Sequence, residues 1–359
     1  MSTSRRKILK MAGTATAALG AGGILAGCGS TSQRNPNISA HEANCPIGTQ
    51  PPNPIEEFVC CTANGDFANE AGLPSPVEDL ETISTGYVWT EGPIWVGDEN
   101  GYLLFSDVPG NGIYKWDSQT QTTSTWLKPS GSQIFPTPFH VREDGTNGLC
   151  LGRGGLVAAD CGERAIVWFD METKEKTILA DNYNGKRFHS TNDLVIADNG
   201  DIYFTDAYNA LNANYRESMW ELDFFGVYRI DTENRVHLVA DNLRPNGIAL
   251  TPDNRTLVVT DRSGWVAIDL DNDGMPLRQR QFVSRDVTGG GADGMQMDHA
   301  GRLWTTSTGG IHVFSPSAEH IGFIRVPNRR ANCNFGADGY VYIANCDRML
   351  RAKIKPEFA

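Results

Sequence analysis

From residue 86 onward, short runs rich in Val, Ile, Leu, Tyr, Phe and Trp are cut by Gly, Asp and Asn turns, and no segment keeps the apolar period of a long amphipathic helix. This pattern predicts an all-β fold. Laid on one another, the runs give a degenerate unit of roughly 40 to 55 residues, the spacing of propeller blades. Each unit opens on a polar residue and a small or apolar stretch: Glu91-Gly92-Pro93, Asn147-Gly148-Leu149, Asn192-Asp193-Leu194, Asn246-Gly247-Ile248, Asp293-Gly294-Met295 and Asn332-Cys333-Asn334. Each returns on an apolar strand ending in a small polar pair or its variant: Ser106-Asp107, Ala159-Asp160, Thr205-Asp206, Thr260-Asp261, Thr306-Ser307 and Ala344-Asn345. Six openings predict a six-bladed β-propeller. The sixth unit is cut short by Ala359, so a strand near Glu78 to Ser84 is expected to complete it and close the ring without an exposed edge.

The chain before this pattern reads differently. Arg5, Arg6, Lys7 and Lys10 precede an Ala/Gly/Leu stretch too short and glycine-rich to span a bilayer, as in an export signal. Ser4-Arg5-Arg6-Lys7-Ile8-Leu9-Lys10 has the twin-arginine pattern, and Leu25-Ala26-Gly27-Cys28 is a lipoprotein cleavage box with Cys28 as the acylated residue. The expected organisation is a signal over 1–27, a flexible tether over 28–76 and a catalytic propeller over 77–359. The product would be exported and held by lipid at Cys28 on the periplasmic or outer face of a bacterial membrane. An ordinary secretory signal is the plainer alternative.

Loss of the four basic side chains of 1–27 takes the formal charge from −12 to −16. That balance argues against nucleic acid as a partner. The membrane is expected to be touched only through the lipid, and a tethered chain fits a monomer. Beyond Cys28 lie seven cysteines, an odd number, so at least one should be free. Cys45 with Cys60 or Cys61 is the expected bridge. Cys150, Cys161, Cys333 and Cys346 are expected as buried thiols, because the hairpin positions they occupy do not face one another.

In a propeller the first strand of each blade lines the channel, so residues at equivalent strand starts converge on one axis. Those starts hold Glu91, Asn147, Asn192, Asn246, Asp293 and Asn332. Carboxylate and amide oxygens suit a hard divalent cation, Ca²⁺ first, with Mg²⁺, Mn²⁺ or Zn²⁺ as other occupants. Glu91 and Asp293, placed in opposition across the channel, would balance its charge. Asp107, Asp160, Asp206 and Asp261 are expected only to cap strand ends.

At these residues, and from about Glu91 to Ile354, the chain resembles the gluconolactonase/regucalcin family of six-bladed propellers. The stretches are Glu91-Gly92-Pro93, Phe105-Ser106-Asp107-Val108-Pro109-Gly110, Ser190-Thr191-Asn192-Asp193, Tyr203-Phe204-Thr205-Asp206, Glu221 through Arg229, Arg244-Pro245-Asn246-Gly247-Ile248 and Ala292-Asp293-Gly294-Met295. The resemblance implies a hydrolase of sugar lactones and related esters, with metal ligands at Glu91, Asn192, Asn246 and Asp293. Asp293 would double as base or nucleophile, and Asn147 and Asn332 would line the pocket. The chain departs from the family at Thr191, where Pro is usual, and at Phe188-His189 just before it. These adjoin the mouth, so Ser190 and His189 are expected to bear on substrate choice. A phosphotriester or aryl ester is an alternative substrate for the same ion, and a non-catalytic binding platform is the alternative outside enzymology.

Gly289-Gly290-Gly291-Ala292-Asp293-Gly294 matches GxGxxG without a βαβ context and is read as a loop onto the metal. Asp269 to Gly274 begins like a calcium loop, but Arg280 stands where the closing Glu should be, so a hairpin turn is expected. His140 and His189 are lone loop histidines, for which solvation or a backbone hydrogen bond is the usual fate. Trp89, Tyr208 and Trp304 are expected to pack between blades rather than on substrate.

Overall fold

The computed structural model describes residues 72–132, 142–207 and 216–359. These form six four-stranded antiparallel sheets, the blades of a propeller. The innermost strands are Thr90–Val96, Thr146–Gly152, Thr191–Ile196, Ile248–Leu250, Met295–Met297 and Asn332–Phe335. In the first five blades the remaining strands follow outward in chain order. In the sixth, the outermost place is taken by Glu81–Thr85, which pairs with Arg348–Lys353 in the register Glu81↔Arg351. The ring is closed by the earliest described strand, as the shortened sixth unit predicts. Residues 74–76, assigned to the tether on composition, are already part of this closure. The carbonyls of Pro74, Ser75 and Pro76 accept from Phe323 N, Lys355 Nζ and Lys355 N.

The second strands read as nearly continuous apolar runs because neighbouring blades cover both their faces. Gly155–Asp160 and Ile202–Asp206 are buried throughout, whereas the outermost Pro276–Ser284 is mostly exposed. Large aromatics fill the wedges between blades. Trp95 of blade 1 stacks on Tyr342 of blade 6 at 5.3 Å between centroids, an arrangement that contributes about 0.5–1.5 kcal/mol beyond the area it buries. Trp304 is fully buried with Nε1 on Asp298, so its expected packing role holds. The Asp271 carboxylate accepts from Asp273 N and Met275 N, the hairpin turn expected there.

Cys150, Cys161 and Cys333 are free. Cys346 corrects the expectation of a thiol: it is disulfide-bonded, and its partner lies outside the described residues. The hairpin argument excluded only Cys333 as that partner. The signal, Cys28, the Cys45 bridge, His140 and Tyr208 also lie outside the described residues.

Candidate active site

In five of the six blades the small polar residue ending the second strand fixes the segment that leads into the channel. Asp107 accepts from Val88 N and Trp89 N, Asp206 from His189 N and Ser190 N, and Asp261 from Arg244 N, at 2.7 to 3.1 Å. In blade 6 an amide does this with the opposite polarity: Asn345 Nδ2 donates to the carbonyls of Pro327 and Arg329. Asp160 differs, taking Glu163 N and the Lys176 ammonium. The capping role read from sequence is therefore specific, since three of the aspartates anchor the backbone two or three residues before an axial side chain.

Strand register decides which side chains share a level on the axis. Leu194 pairs with Phe204, Ile248 with Val259, Met295 with Thr305 and Cys333 with Ile343, each partner standing two residues before the capping residue. Counting back two from each places Asn192, Asn246, Asp293 and Ala331 on one level. Blades 1 and 2 follow the same register and add Glu91 and Asn147. Asn332 thus falls one level below the ring, and Ala331 holds its place. Glu91 and Asp293 are not opposed across the channel either; they belong to the two blades that flank blade 6, whose residue at that level is Ala331.

The lower level is filled by two side chains. Asn332 Nδ2 donates to Asp193 Oδ2 at 3.3 Å, across the axis from blade 6 to blade 3. Every other blade has glycine at this level, and the coordinates show why. A Cβ on Gly148 would lie 2.5 Å from Asp193 Oδ1, and one on Gly294 would lie 2.1 Å from the Asn332 side chain. A cavity of about 30 Å³ beside them is lined by Cys150, Met295 and Cys333.

Burial and mutual repulsion govern the acids. Glu91 is buried, and desolvation, then the charges of Asp293 and Asp193, push its carboxyl well above the usual range. Desolvation also holds Asp293 up to about 7; Arg329 pulls it down, Asp193 and Glu143 push it up, and the Asn246 amide bonds to it. Asp193 is raised to about 7, again by desolvation first. Asp293 and Asn246 are half-buried where Glu91 and Asn192 are buried, so the ring opens on the blade 4 and 5 side.

Among the described residues no three His, Cys, Asp or Glu side chains gather as a metal cage, so a cation on the axis would have to draw on amides. Two raised carboxylates, Glu91 and Asp293, the first pushed up in part by the second, are such a set beside Asn192 and Asn246. Their all-oxygen chemistry fits a hard dication better than Zn²⁺, and its positive charge would relieve the repulsion.

Other expected residues are placed differently. His189 is buried rather than solvated or facing the mouth: Nδ1 lies 2.9 Å from Asp206 Oδ2 and Nε2 lies 3.1 Å from the Leu222 carbonyl. It braces the loop after blade 3's second strand. Ser190 is buried too, its side chain on the Cys161 thiol, which Asn147 also meets. Sequence reasoning passed over Asp193, Arg329 and Glu143, and gave Trp89 to packing between blades. Trp89 is packed as expected, yet its Nε1 also reaches Glu91 Oε1 at 3.5 Å, and the exposed Arg329 guanidinium lies 5.0 Å over its ring. Only Asp193 had a signal in the chain, as the one non-glycine residue following the polar opening in blades 1 to 5.

Residues 89–345 match the family described as SMP-30/Gluconolactonase/LRE-like region. The chain is 37% identical over 293 residues to a gluconolactonase of Zymomonas mobilis, spanning 77% of this chain and 81% of that one. A gluconolactonase structure from Xanthomonas campestris superposes with a TM-score of 0.68 at 28% identity, covering 82% of this chain and 94% of the other. A calcium-binding regucalcin from Agrobacterium tumefaciens shares the fold at 17% identity, with a TM-score of 0.60 and coverage of 79% and 96%.

Proposed function

This chain belongs to the SMP-30/gluconolactonase/LRE-like family and is a lactone hydrolase, and from that premise we propose that it opens a sugar lactone at the axial ring with the help of one divalent cation, Ca²⁺ first. The observation that carries the proposal is the pair Glu91 and Asp293, two acids kept short of full ionisation on the two blades beside blade 6, one buried and one half-open to solvent. Glu91, Asn192, Asn246 and Asp293 would hold the ion, which would polarise the lactone carbonyl and offset negative charge on its oxygen.

The chain's own residues do the rest. Asp293 takes the proton of a water as that water's oxygen bonds to the carbonyl carbon. It returns the proton to the ring oxygen as the carbon–oxygen bond breaks, leaving a hydroxy acid. Asn246 orients the Asp293 carboxylate, and Asn147 lines the wall. The Asp193–Asn332 bond crosses the channel one level below the ring.

We also propose export and a lipid anchor at Cys28, testable by metabolic labelling with a fatty acid and its loss in Cys28→Ser. Catalysis is tested by pH-stat titration on glucono-δ-lactone and a small panel of lactones, aryl esters and phosphotriesters, with chelator and then with added Ca²⁺, Mg²⁺, Mn²⁺ or Zn²⁺. Acid release from the lactones, lost with chelator and restored by a divalent ion, is the expected result. Acid release that ignores chelation would remove the cation from the mechanism.

A further inference from the structure

We infer that Arg329 recognises substrate at the mouth, and that the lactones this chain prefers carry an anion, a carboxylate or a phosphate, on the carbon farthest from the scissile carbonyl; this rests on the axial lactone site proposed above. Arg329 stands two residues before Ala331, so on blade 6 it lies as far above the ring as Trp89 does on blade 1. The two side chains meet there. The guanidinium carbon is 5.0 Å from the centroid of the Trp89 ring, and the Nε1 of that indole reaches Glu91 Oε1 at 3.5 Å. Through these contacts the cation is held on the mouth side of the ring, where Arg329 is exposed.

The backbone fixes this placement. The Arg329 carbonyl accepts from Asn345 Nδ2 at 3.1 Å and the Pro327 carbonyl from the same amide at 2.7 Å, while Arg330 is tied to the carbonyls of Ser307 and Asn328. At the same level blade 5 has Gly291, exposed and with no atom of the described residues within 4 Å of where a Cβ would stand. At that level, then, blade 5 sets no side chain between Arg329 and the open side of the ring over Asp293. The two charges also act on each other: after burial, which raises Asp293, Arg329 is the strongest influence on it and pulls it down.

Two residues of extended chain span about 6–7 Å. A lactone with its carbonyl at the ring therefore brings the far end of the sugar to the level of Arg329. Stacking engages the face of a guanidinium, whereas a carboxylate or phosphate binds its edge, so Trp89 can hold Arg329 while it binds an anion. A neutral hydroxyl gains less from a permanent cation. Glu91, Asp193 and Asp293 below would repel an anion that lacked such a partner.

The test measures kcat/KM by pH-stat titration on glucono-δ-lactone, its 6-phosphate and a glucaric acid monolactone bearing a free carboxylate. Wild type, Arg329→Met and Arg329→Lys are compared, with thermal melts confirming the fold. Wild type should favour at least one anionic lactone over the parent by roughly 10- to 100-fold, the worth of a charge-assisted hydrogen bond. Which of the two is favoured tells carboxylate from phosphate. That ratio should fall to near one in Arg329→Met, which keeps the stem over Trp89 but not the charge, survive in part in Arg329→Lys, and shrink with salt. A wild-type preference for the neutral parent, or a ratio that persists in Arg329→Met, would overturn the inference while lactone hydrolysis stands. So would a variant whose only change is weaker inhibition by gluconate, since Arg329 would then serve the newly formed carboxylate. No acid release from any of the three lactones would instead sink the reading beneath it.

Discussion

Asp193 and Asn332 meet across the propeller axis at 3.3 Å, one level beneath the ring of acids and amides. Asn332→Ala should leave the Asp193 carboxylate without that donor and cost about 1–3 kcal/mol in urea unfolding, with KM for lactone unchanged. Gly294→Ala, whose methyl would overlap the Asn332 side chain, should cost about 1–3 kcal/mol by overpacking. A clear rise in KM for Asn332→Ala at unaltered stability would return Asn332 to the substrate pocket.

Asp293→Asn is expected to fold and to lose about 10²- to 10⁴-fold in kcat on glucono-δ-lactone, the span of a lost general base. Near-normal turnover in stopped-flow or pH-stat assays would take Asp293 out of the proton-transfer role.

Glu91→Gln removes one of the two anionic candidate ligands and should weaken Ca²⁺ binding by at least about tenfold in isothermal calorimetry. The same heat and affinity as wild type would mean that Glu91 does not hold the ion.

Without a cation, stability should fall as pH rises. Asp193 and Asp293 are raised from 3.8 to about 7, and Asp160 to about 6, so the folded chain binds these protons more tightly than the unfolded one. Their stabilising contribution is fullest below the unfolded value near 3.8 and is lost as pH rises through about 7. His312, lowered from 6.5 to about 4, and His320, also lowered by burial, act in the opposite sense below 6.5, but two imidazoles oppose three carboxylates. In chelator, Tm should therefore be higher at about pH 5.5 than at about pH 8, and added Ca²⁺ should shrink the difference. A chelated protein that melts later at the higher pH would contradict the burial of these acids.

Alkylation read by mass spectrometry distinguishes the cysteines. Cys161 and Cys333, both buried, should be labelled only after unfolding, the half-buried Cys150 before them, and Cys346 only after unfolding with reductant. Labelling of Cys346 in denaturant alone would exclude its disulfide.

Much of this was written in the chain because a repeating fold repeats its sequence constraints. Blade count, the closing strand and five of the six ring positions follow from polar-plus-small openings and polar returns. The sixth failed for a physical reason: its opening has no glycine, because Asn332 itself occupies the space that glycine leaves elsewhere. Asn192-Asp193 is the other opening of that kind, and alignment on it would have put Ala331 in the ring. Glu143, Arg329 and the site-facing edge of Trp89 belong to segments between strands, where no period operates and only folding shows what meets. His189 was misplaced because a loop position says nothing of the buried Asp206 beneath it.

The strand Glu81–Thr85 leaves the ribosome first among the described strands, and its partner Arg348–Lys353 leaves last. No nascent or prematurely terminated chain can therefore complete the circle. Until the final blade is made, Trp95, Phe105 and Trp116 lack the cover of Tyr342, Ala344 and Met349, so each chain passes through synthesis with an adhesive flank. Truncation by even the last dozen residues should be punished by aggregation rather than by a smaller working enzyme.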